Sequence, residues 1–287
     1  GSTLPLWPGF TSHAPRWPAD AAPVRAWVRG ASGAGCFMVE HIVALSGGKD
    51  STAMALRLRY LHPDVPYRFV ITPTGNELPD MVAHWERLET LLGMKLEILP
   101  CPKLEPLMER MDMLPSTRMR WCTRMIKIEP FVALYSGLPA GSMAYVGLRA
   151  DEPPSERGGL YGSAVQQVFP LREWGWGIAE VTGYLKSRGV TIPRRTDCAF
   201  CPYQRADEWF QLWRDHRDVF MAAEAWEARL GHTFRSPTGK HGRWKASLAG
   251  MREQFESGMM TREEKKRLAQ FAAGDDPEDG PCRVCRV

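Results

Sequence analysis

The chain lacks the features that would place it in or across a membrane. No stretch approaches the roughly eighteen consecutive apolar residues that a spanning helix needs. No basic segment followed by an apolar core stands near the start, so no signal peptide is expected and a cytoplasmic location is. No segment repeats at a fixed interval. The Walker A pattern G-x-x-x-x-G-K-S/T is missing from the glycine-rich loop discussed below, and so is the dinucleotide pattern G-x-G-x-x-G. No glutaminase domain is visible, which counts against nitrogen insertion. Cysteine is present, but its seven residues are not expected to form a disulfide framework. Their number is odd, their spacing is uneven, and without a secretion signal metal binding or thiol chemistry is the better expectation.

What is present is an ordinary globular composition. Hydrophobic residues make up 44% and charged residues 24% of 287 positions, with a mild net charge of +4. Residues 1–35 carry Pro5, Pro8, Pro15, Pro18 and Pro23 among tryptophans and read as an irregular arm, because proline this dense prevents a long helix or a central strand. From His41 the pattern changes to short apolar runs alternating with helical periodicity. Ile42–Leu45, Tyr67–Ile71, Leu96–Leu99 and Ala144–Leu148 read as buried strands. Residues 50–61 and 79–92 read as helices, the latter with Val82, Trp85, Leu88 and Leu92 on one face. The alternation predicts an α/β domain with a parallel sheet over 36–195. Beyond it, 204–230 and 246–273 read as helices of a basic, cysteine-containing C-terminal region, 196–287, which ends in an acidic Gly274–Gly280 linker and Cys282-Arg-Val-Cys285.

The sharpest motif is Ser46-Gly47-Gly48-Lys49-Asp50-Ser51, between the first strand and the first helix. Two glycines let the backbone approach an anion. The loop amides and the helix N-terminus supply unpaired N–H groups. Lys49 adds charge, and Ser46 and Ser51 add hydroxyl donors. The site suits a phosphate or pyrophosphate.

With its flanks, Leu45-Ser-Gly-Gly-Lys-Asp-Ser51 resembles the PP-loop of the ATP pyrophosphatases. Three further blocks resemble the phosphoadenosine phosphosulfate reductase-like branch of that superfamily: Thr74-Gly75-Asn76-Glu77-Leu78-Pro79; Arg120-Trp121-Cys122-Thr123 with Lys127 and Pro130; and Gly147-Leu148-Arg149 with Glu152, Ser155 and Arg157. The four blocks stand in the family's order over about residues 41 to 205. Two departures matter. Pro73-Thr74 stands where the branch has Asp-Thr, and the Glu-Cys-Gly-Leu-His signature of the thioredoxin-dependent reductases is absent, which counts against plain sulfonucleotide reduction.

The resemblance implies a five-stranded, mostly parallel sheet of the adenine-nucleotide α-hydrolase-like, Rossmann-like type. It implies ATP with Mg2+ at Ser46, Gly47, Gly48, Lys49, Asp50, Ser51, Thr74, Gly75, Arg149 and Arg157, with Lys49 and Asp50 as catalytic residues. Arg149 and Arg157 suit bidentate contacts to phosphate or sulfate; pairing with Asp151 or Glu152 is the alternative.

Asp197-Cys198-Ala199-Phe200-Cys201-Pro202 is a C-x-x-C pair, by itself a metal half-site or a redox pair. With Cys122 it is similar to blocks of the DNA phosphorothioation sulfurtransferase and of iron–sulfur sulfonucleotide reductases. That likeness implies convergence of Cys122, Cys198 and Cys201 on a [4Fe-4S] cluster, with Cys285 or Cys282 as fourth ligand or one iron left open to hold sulfide; zinc is the alternative. Cys36 and Cys101 read as small buried apolar residues. Arg118, Arg120, Arg124 and Lys127 surround Cys122, where positive charge would stabilise a thiolate and attract an anion. Between Arg229 and Arg252 lie Arg235, Lys240, Arg243 and Lys245, interleaved with His232, Phe234, His241 and Trp244 and with no acidic residue. That mixture fits nucleic acid, or else a solvated basic surface.

The functional expectation is an ATP-dependent sulfurtransferase that adenylates nucleic acid and inserts sulfur supplied by a cysteine desulfurase or another sulfide donor. One alternative is a reductase of adenylyl sulfate or its 3′-phosphorylated form, with Cys282 or Cys285 as nucleophile and thioredoxin as partner. A second is a nucleic-acid-binding module with a structural metal.

Overall fold

The computed structural model describes residues 39–153, 165–194, 196–239 and 241–272. Strands β1 (His41–Ala44), β2 (Tyr67–Ile71), β3 (Glu97–Ile98), β4 (Met143–Tyr145) and β5 (Gln166–Val168) form one sheet in the order β3-β2-β1-β4-β5. Every pair is parallel; Ile42, for example, lies opposite Arg68 on one side and Ala144 on the other. The strands are short and apolar because the central ones are covered on both faces. β5 is the strand that the hydrophobic pattern does not single out. Gln166 and Gln167 lie at the sheet edge and are not buried, so no apolar run marks them.

Helix α1 (Lys49–Leu61) follows β1, and its first seven residues are all buried. Helix α2 (Pro79–Leu92) starts on a proline, whose fixed φ suits the first turn, and ends at Gly93 in the left-handed region. With α6 (Ile178–Ser187) they cover one face: Ala53, Met54, Leu58, Leu88, Val181, Tyr184 and Leu185 pack on Val43, Phe69 and Tyr145. The other face carries Ile42, Val70 and Ala144 under Phe131 and Tyr135 of α4 (Glu129–Ser136). Helix α3 (Leu104–Met111) lies between β3 and a π-helical segment, Thr123–Ile128, that runs into α4. After β5 come α5 (Pro170–Glu173) and α6 (Ile178–Ser187).

The C-terminal region departs from the expected pair of long helices. The first splits at His216 into α7 (Ala206–Asp215) and α8 (Arg217–Leu230), because His216 has φ −136° and ψ 64°, outside the helical region. The second splits into α9 (Leu248–Glu256) and α10 (Arg262–Ala272) around Gly258, whose φ of +86° ends the helix in a turn. These helices are not a free-standing unit. Trp209, Phe220, Phe234, Leu248 and Phe255 share one apolar cluster with Leu104, Leu107, Trp121 and Ile126. Trp209 is fully buried, and Trp226 donates to Glu105 from α8. None of the described helices is long and apolar enough to cross a membrane.

Glu227 fixes the loop that joins α8 to α9. Its two carboxylate oxygens accept the Phe234 and Leu248 amides at 3.0 and 2.6 Å. Burial pushes its pKa from 4.5 up to about 7, against those two bonds. Between these values the folded chain holds a proton that the unfolded chain has released, so stability from this group falls as pH rises through the window. The melting temperature is therefore expected to drop between about pH 5 and pH 8, and to drop less in Glu227→Gln. An equal fall in the variant would assign the effect to other groups.

Candidate functional site

The strand order reverses between β1 and β4. That is the switch point at whose carboxyl edge open α/β sheets leave a crevice for ligands. Two loops meet there, 46–48 after β1 and 146–149 after β4. Their approach depends on Gly147. A Cβ on it would lie 3.1 Å from both the N and the Cα of Ser51, in the first turn of α1. The phosphate loop is equally tight underneath. Gly47 has φ +80°, and a Cβ there would fall 2.1 Å from Met81 Cε and 2.7 Å from Trp85 Nε1 on α2. His84, 1% exposed and in the same stretch of α2, is driven by burial to a pKa of about 4 and is neutral there. Neither Met81, His84 nor Trp85 belongs to a motif, so sequence reading had no signal for them as loop supports.

Within the loop, Ser46 Oγ and Ser51 Oγ lie 3.0 Å apart and the Gly48 amide donates to Ser46 Oγ at 3.2 Å. Gly48 precedes α1 without a side-chain cap, so the first-turn amides keep their capacity for an anion. Lys49, Asp50 and Ser51 are all buried. Arg149 donates from Nη1 to Asp50 Oδ2 at 2.8 Å and from Nε to Asp151 Oδ1 at 2.8 Å, and its Nη2 lies 3.8 Å from Glu152. Lys49 Nζ lies 3.7 Å from the same Asp50 oxygen. Asp50 Oδ1 is buried and has no hydrogen-bond partner. Thus Arg149 takes the pairing with Asp151 that the sequence left open, and adds one with Asp50 that a separation of 99 positions hides.

Thr74 and Gly75, expected near the nucleotide, sit in a loop that Glu77 organises. Its carboxylate accepts the Thr74 amide at 2.6 Å, the Thr74 hydroxyl at 2.7 Å and the Gly75 amide at 3.0 Å. The C-x-x-C turn is fastened to that loop, since the Ala199 amide donates to the Asn76 carbonyl at 2.6 Å. Ala199 and Phe200 are each 1% exposed, so the turn buries its middle and leaves Cys198 and Cys201 half-buried at its ends. Just upstream, Thr196 Oγ1 would lie 3.6 Å from a Cβ on Gly48. Thiols and phosphate loop are therefore neighbours through residues 196–199.

Cys122 caps the π-helical segment and is also half-buried. A π-helix is rare and concentrates at functional sites. Its block meets the C-x-x-C block through Tyr203, whose hydroxyl donates to the Thr117 carbonyl at 3.1 Å and whose ring lies 5.3 Å from the Arg120 guanidinium. Cys122 and Cys198 pack against the same apolar cluster. Among the described residues, however, no three His, Cys, Asp or Glu side chains are grouped to hold a metal ion. The described thiols do not by themselves make a ligand set for a [4Fe-4S] cluster or for zinc. Cys101 packs against that cluster too, its thiol pushed up in pKa chiefly by burial. Cys36, Ser155, Arg157, Lys240, Cys282 and Cys285 lie outside the described residues.

A family profile described as "Phosphoadenosine phosphosulfate reductase domain" matches residues 40–194, more than half of the chain and the whole sheet. The chain belongs to this family. No curated protein sequence matches it significantly. Among solved structures it is similar to the phosphoadenylyl-sulfate (PAPS) reductase of Candida auris in its phosphate complex. The identity is 16%, over 53% of this chain and 74% of that one, with a TM-score of 0.42. It is also similar to the U34-tRNA thiolase NcsA of Methanococcus maripaludis with its [4Fe-4S] cluster, at 15% identity over 79% of this chain and 86% of that one, with a TM-score of 0.40. The family domain ends at residue 194, just before the C-x-x-C turn.

Two substitutions test this geometry. Gly147→Ala forces a methyl group onto the backbone of α1, at an expected cost of about 1–3 kcal/mol. A thermal shift of the wild-type protein on adding ATP is the expected outcome, and the variant should lose it. Arg149→Ala leaves the Asp50 carboxylate buried beside Lys49 alone and should cost about 3 kcal/mol in denaturant unfolding. Wild-type stability in that variant would show that the pair is not structural.

Proposed function

We propose that the chain is an ATP-dependent sulfurtransferase that adenylates an oxygen of a nucleic-acid substrate and replaces it with sulfur. The observation that carries this reading is the fastening of a C-x-x-C turn onto the nucleotide crevice, with Thr196 beside Gly48 and the Ala199 amide bonded to Asn76. A nucleotide site with an unrelated structural cysteine pair would not need that junction.

In this reading the amides of 46–51 and the Lys49 ammonium hold the pyrophosphate of ATP and stabilise the charge that builds on it as it leaves. Asp50 keeps Lys49 and Arg149 in place. Its unpartnered Oδ1 is the donor atom that fits a Mg2+ ion bound with ATP. The substrate oxygen attacks the α-phosphorus, the α–β phosphoanhydride bond breaks, and pyrophosphate departs. A sulfide nucleophile then attacks the activated acceptor atom. The acceptor–sulfur bond forms, the acceptor–oxygen bond to AMP breaks, and no oxidant or reductant is consumed. A persulfide on Cys198 would serve the same step with Cys201 as resolving thiol, leaving a disulfide for an external thiol to reduce. A cysteine desulfurase or another sulfide donor supplies the sulfur.

The family's own description favours a second reading, reduction of adenylyl sulfate or its 3′-phosphorylated form. There a thiolate from Cys282 or Cys285 attacks the sulfate sulfur and displaces the nucleotide. A thioredoxin-like dithiol then releases sulfite and becomes oxidised. The two readings part on one assay. With ATP and nucleic acid, pyrophosphate release is expected, and Lys49→Ala should lower it about 100-fold or more. Sulfite release from adenylyl sulfate, without pyrophosphate release from ATP, would replace the first reading by the second.

A further inference from the structure

We infer that the surface running from Thr196 past the C-x-x-C turn to Thr117 is the seat of an unpaired nucleic-acid strand, with Tyr203 as the platform for one of its bases. This rests on the thiolation reading above and says where that substrate would lie.

Much of the stretch Arg229–Arg252, where sequence alone looked for nucleic acid, is taken up by packing and by ion pairs, although Arg243 and Lys245 stay exposed. Phe234 is fully buried, and Arg235 is 7% exposed and bonds to the Lys245 carbonyl. Trp244 packs on Phe255. Arg229 is paired with Glu109 and Arg252 with Glu224. Arg214, Arg217 and Arg267 of the C-terminal helices are similarly paired: Arg214 with Asp215 and Glu264, Arg217 with Glu256, and Arg267 with Glu264.

Most of the described cations around the cysteines are not. Segments 115–127 and 192–205 hold seven Arg and Lys residues against one carboxylate, Asp197. Arg118, Arg120, Lys127, Arg194 and Arg205 are exposed. Among the described residues none of these five makes an ion pair, and Arg124 is paired with Glu129. Unpaired surface guanidinium groups suit a polyanion, because each phosphate they neutralise releases condensed counterions. Several such cations spread along two segments exceed what the phosphates of one mononucleotide would engage.

Tyr203 supplies what charge alone does not. It is 41% exposed, yet its ring is held by the hydroxyl bond to Thr117 and by Arg120 at 5.3 Å. A pinned, exposed aromatic ring loses little conformational freedom when a base stacks on it, and the guanidinium beside it adds a cation–π contribution. Met119, 52% exposed in the same block, adds apolar surface. A stacked base must be free of its own helix, so the occupant is an unpaired strand rather than a duplex. The line from Tyr203 back through Cys201 and Cys198 to Thr196 ends at Gly48, which puts a neighbouring nucleotide of such a strand at the thiols and the phosphate loop.

The test is fluorescence anisotropy of the full chain with short labelled oligo(U) and oligo(dT), and with a duplex of equal length. At least one single strand should bind more tightly than the duplex. Tyr203→Ala should weaken that binding by about tenfold, while Tyr203→Phe, which keeps the ring, should stay close to wild type. Arg118→Ala should reduce the slope of log K against log salt by about one. Lys265→Ala, on the distant α10, should change neither. The ATP-induced thermal shift is recorded for each variant to show that the nucleotide site is intact. If wild type binds the strands and Tyr203→Ala binds them equally well, this surface is wrong and the thiolation reading stands. If Arg118→Ala weakens binding and Tyr203→Ala does not, the surface is a charge patch for an acidic partner and the base platform is overturned. If wild type binds no strand while the ATP shift persists, the nucleic-acid substrate falls with the surface and only the nucleotide site remains.

Discussion

The close approach of the loop after β4 to the first turn of α1 is the constraint on which the rest of the site depends. It is a backbone-to-backbone contact at which a side chain on residue 147 would crowd Ser51. Two residues later Arg149 reaches Asp50 on that same turn, so the contact is locked by a buried, charge-assisted pair. The crevice at the switch point is thereby held at a width set by a missing side chain, and the phosphate loop is held against it from below by Met81 and Trp85. Loosening any one of these would move the amides and Lys49 relative to whatever anion they hold, and electrostatic stabilisation is lost quickly with misplacement.

The C-terminal helices serve this crevice rather than forming a separate body. Their apolar cluster incorporates α3 and the Trp121–Ile126 stretch, so the Cys122 block and the C-x-x-C turn rest on the same packed support. The turn itself is anchored twice, by Phe200 and Ala199 in the core and by the Ala199 amide on Asn76. Cys198 and Cys201 stay half-buried at the ends of that turn, with the exposed Arg194 and Arg205 close by in the chain. A thiolate gains from nearby positive charge and needs partial exposure to react.

Much of this was legible in the sequence. Local hydrophobic runs placed four strands close to their observed limits, and α2 falls on the predicted 79–92 because Pro79 and Gly93 mark its ends. β5 escaped because an edge strand with two glutamines carries no apolar run. The break at Gly258 had a local signal, a glycine followed by Thr261, whose hydroxyl accepts the Glu264 amide, whereas nothing as clear marks the break at His216. The phosphate loop was readable because its chemistry is contiguous: two glycines, a lysine and two hydroxyls within six positions.

The sequence by itself therefore determined four of the strands, the phosphate loop and the family, each of which rests on residues close together in the chain. Tertiary structure decided which distant groups meet. It gave Arg149 to Asp50 across 99 positions, set Thr196 above Gly48, and joined Tyr203 to Arg120. It also took Phe234 and Arg235 out of solvent and left Arg118 and Arg120 in it. The physical reason is that a charge or an aromatic ring has the same local signature whether it is paired, buried or free. Only the packing of the other elements around it determines which of these it is.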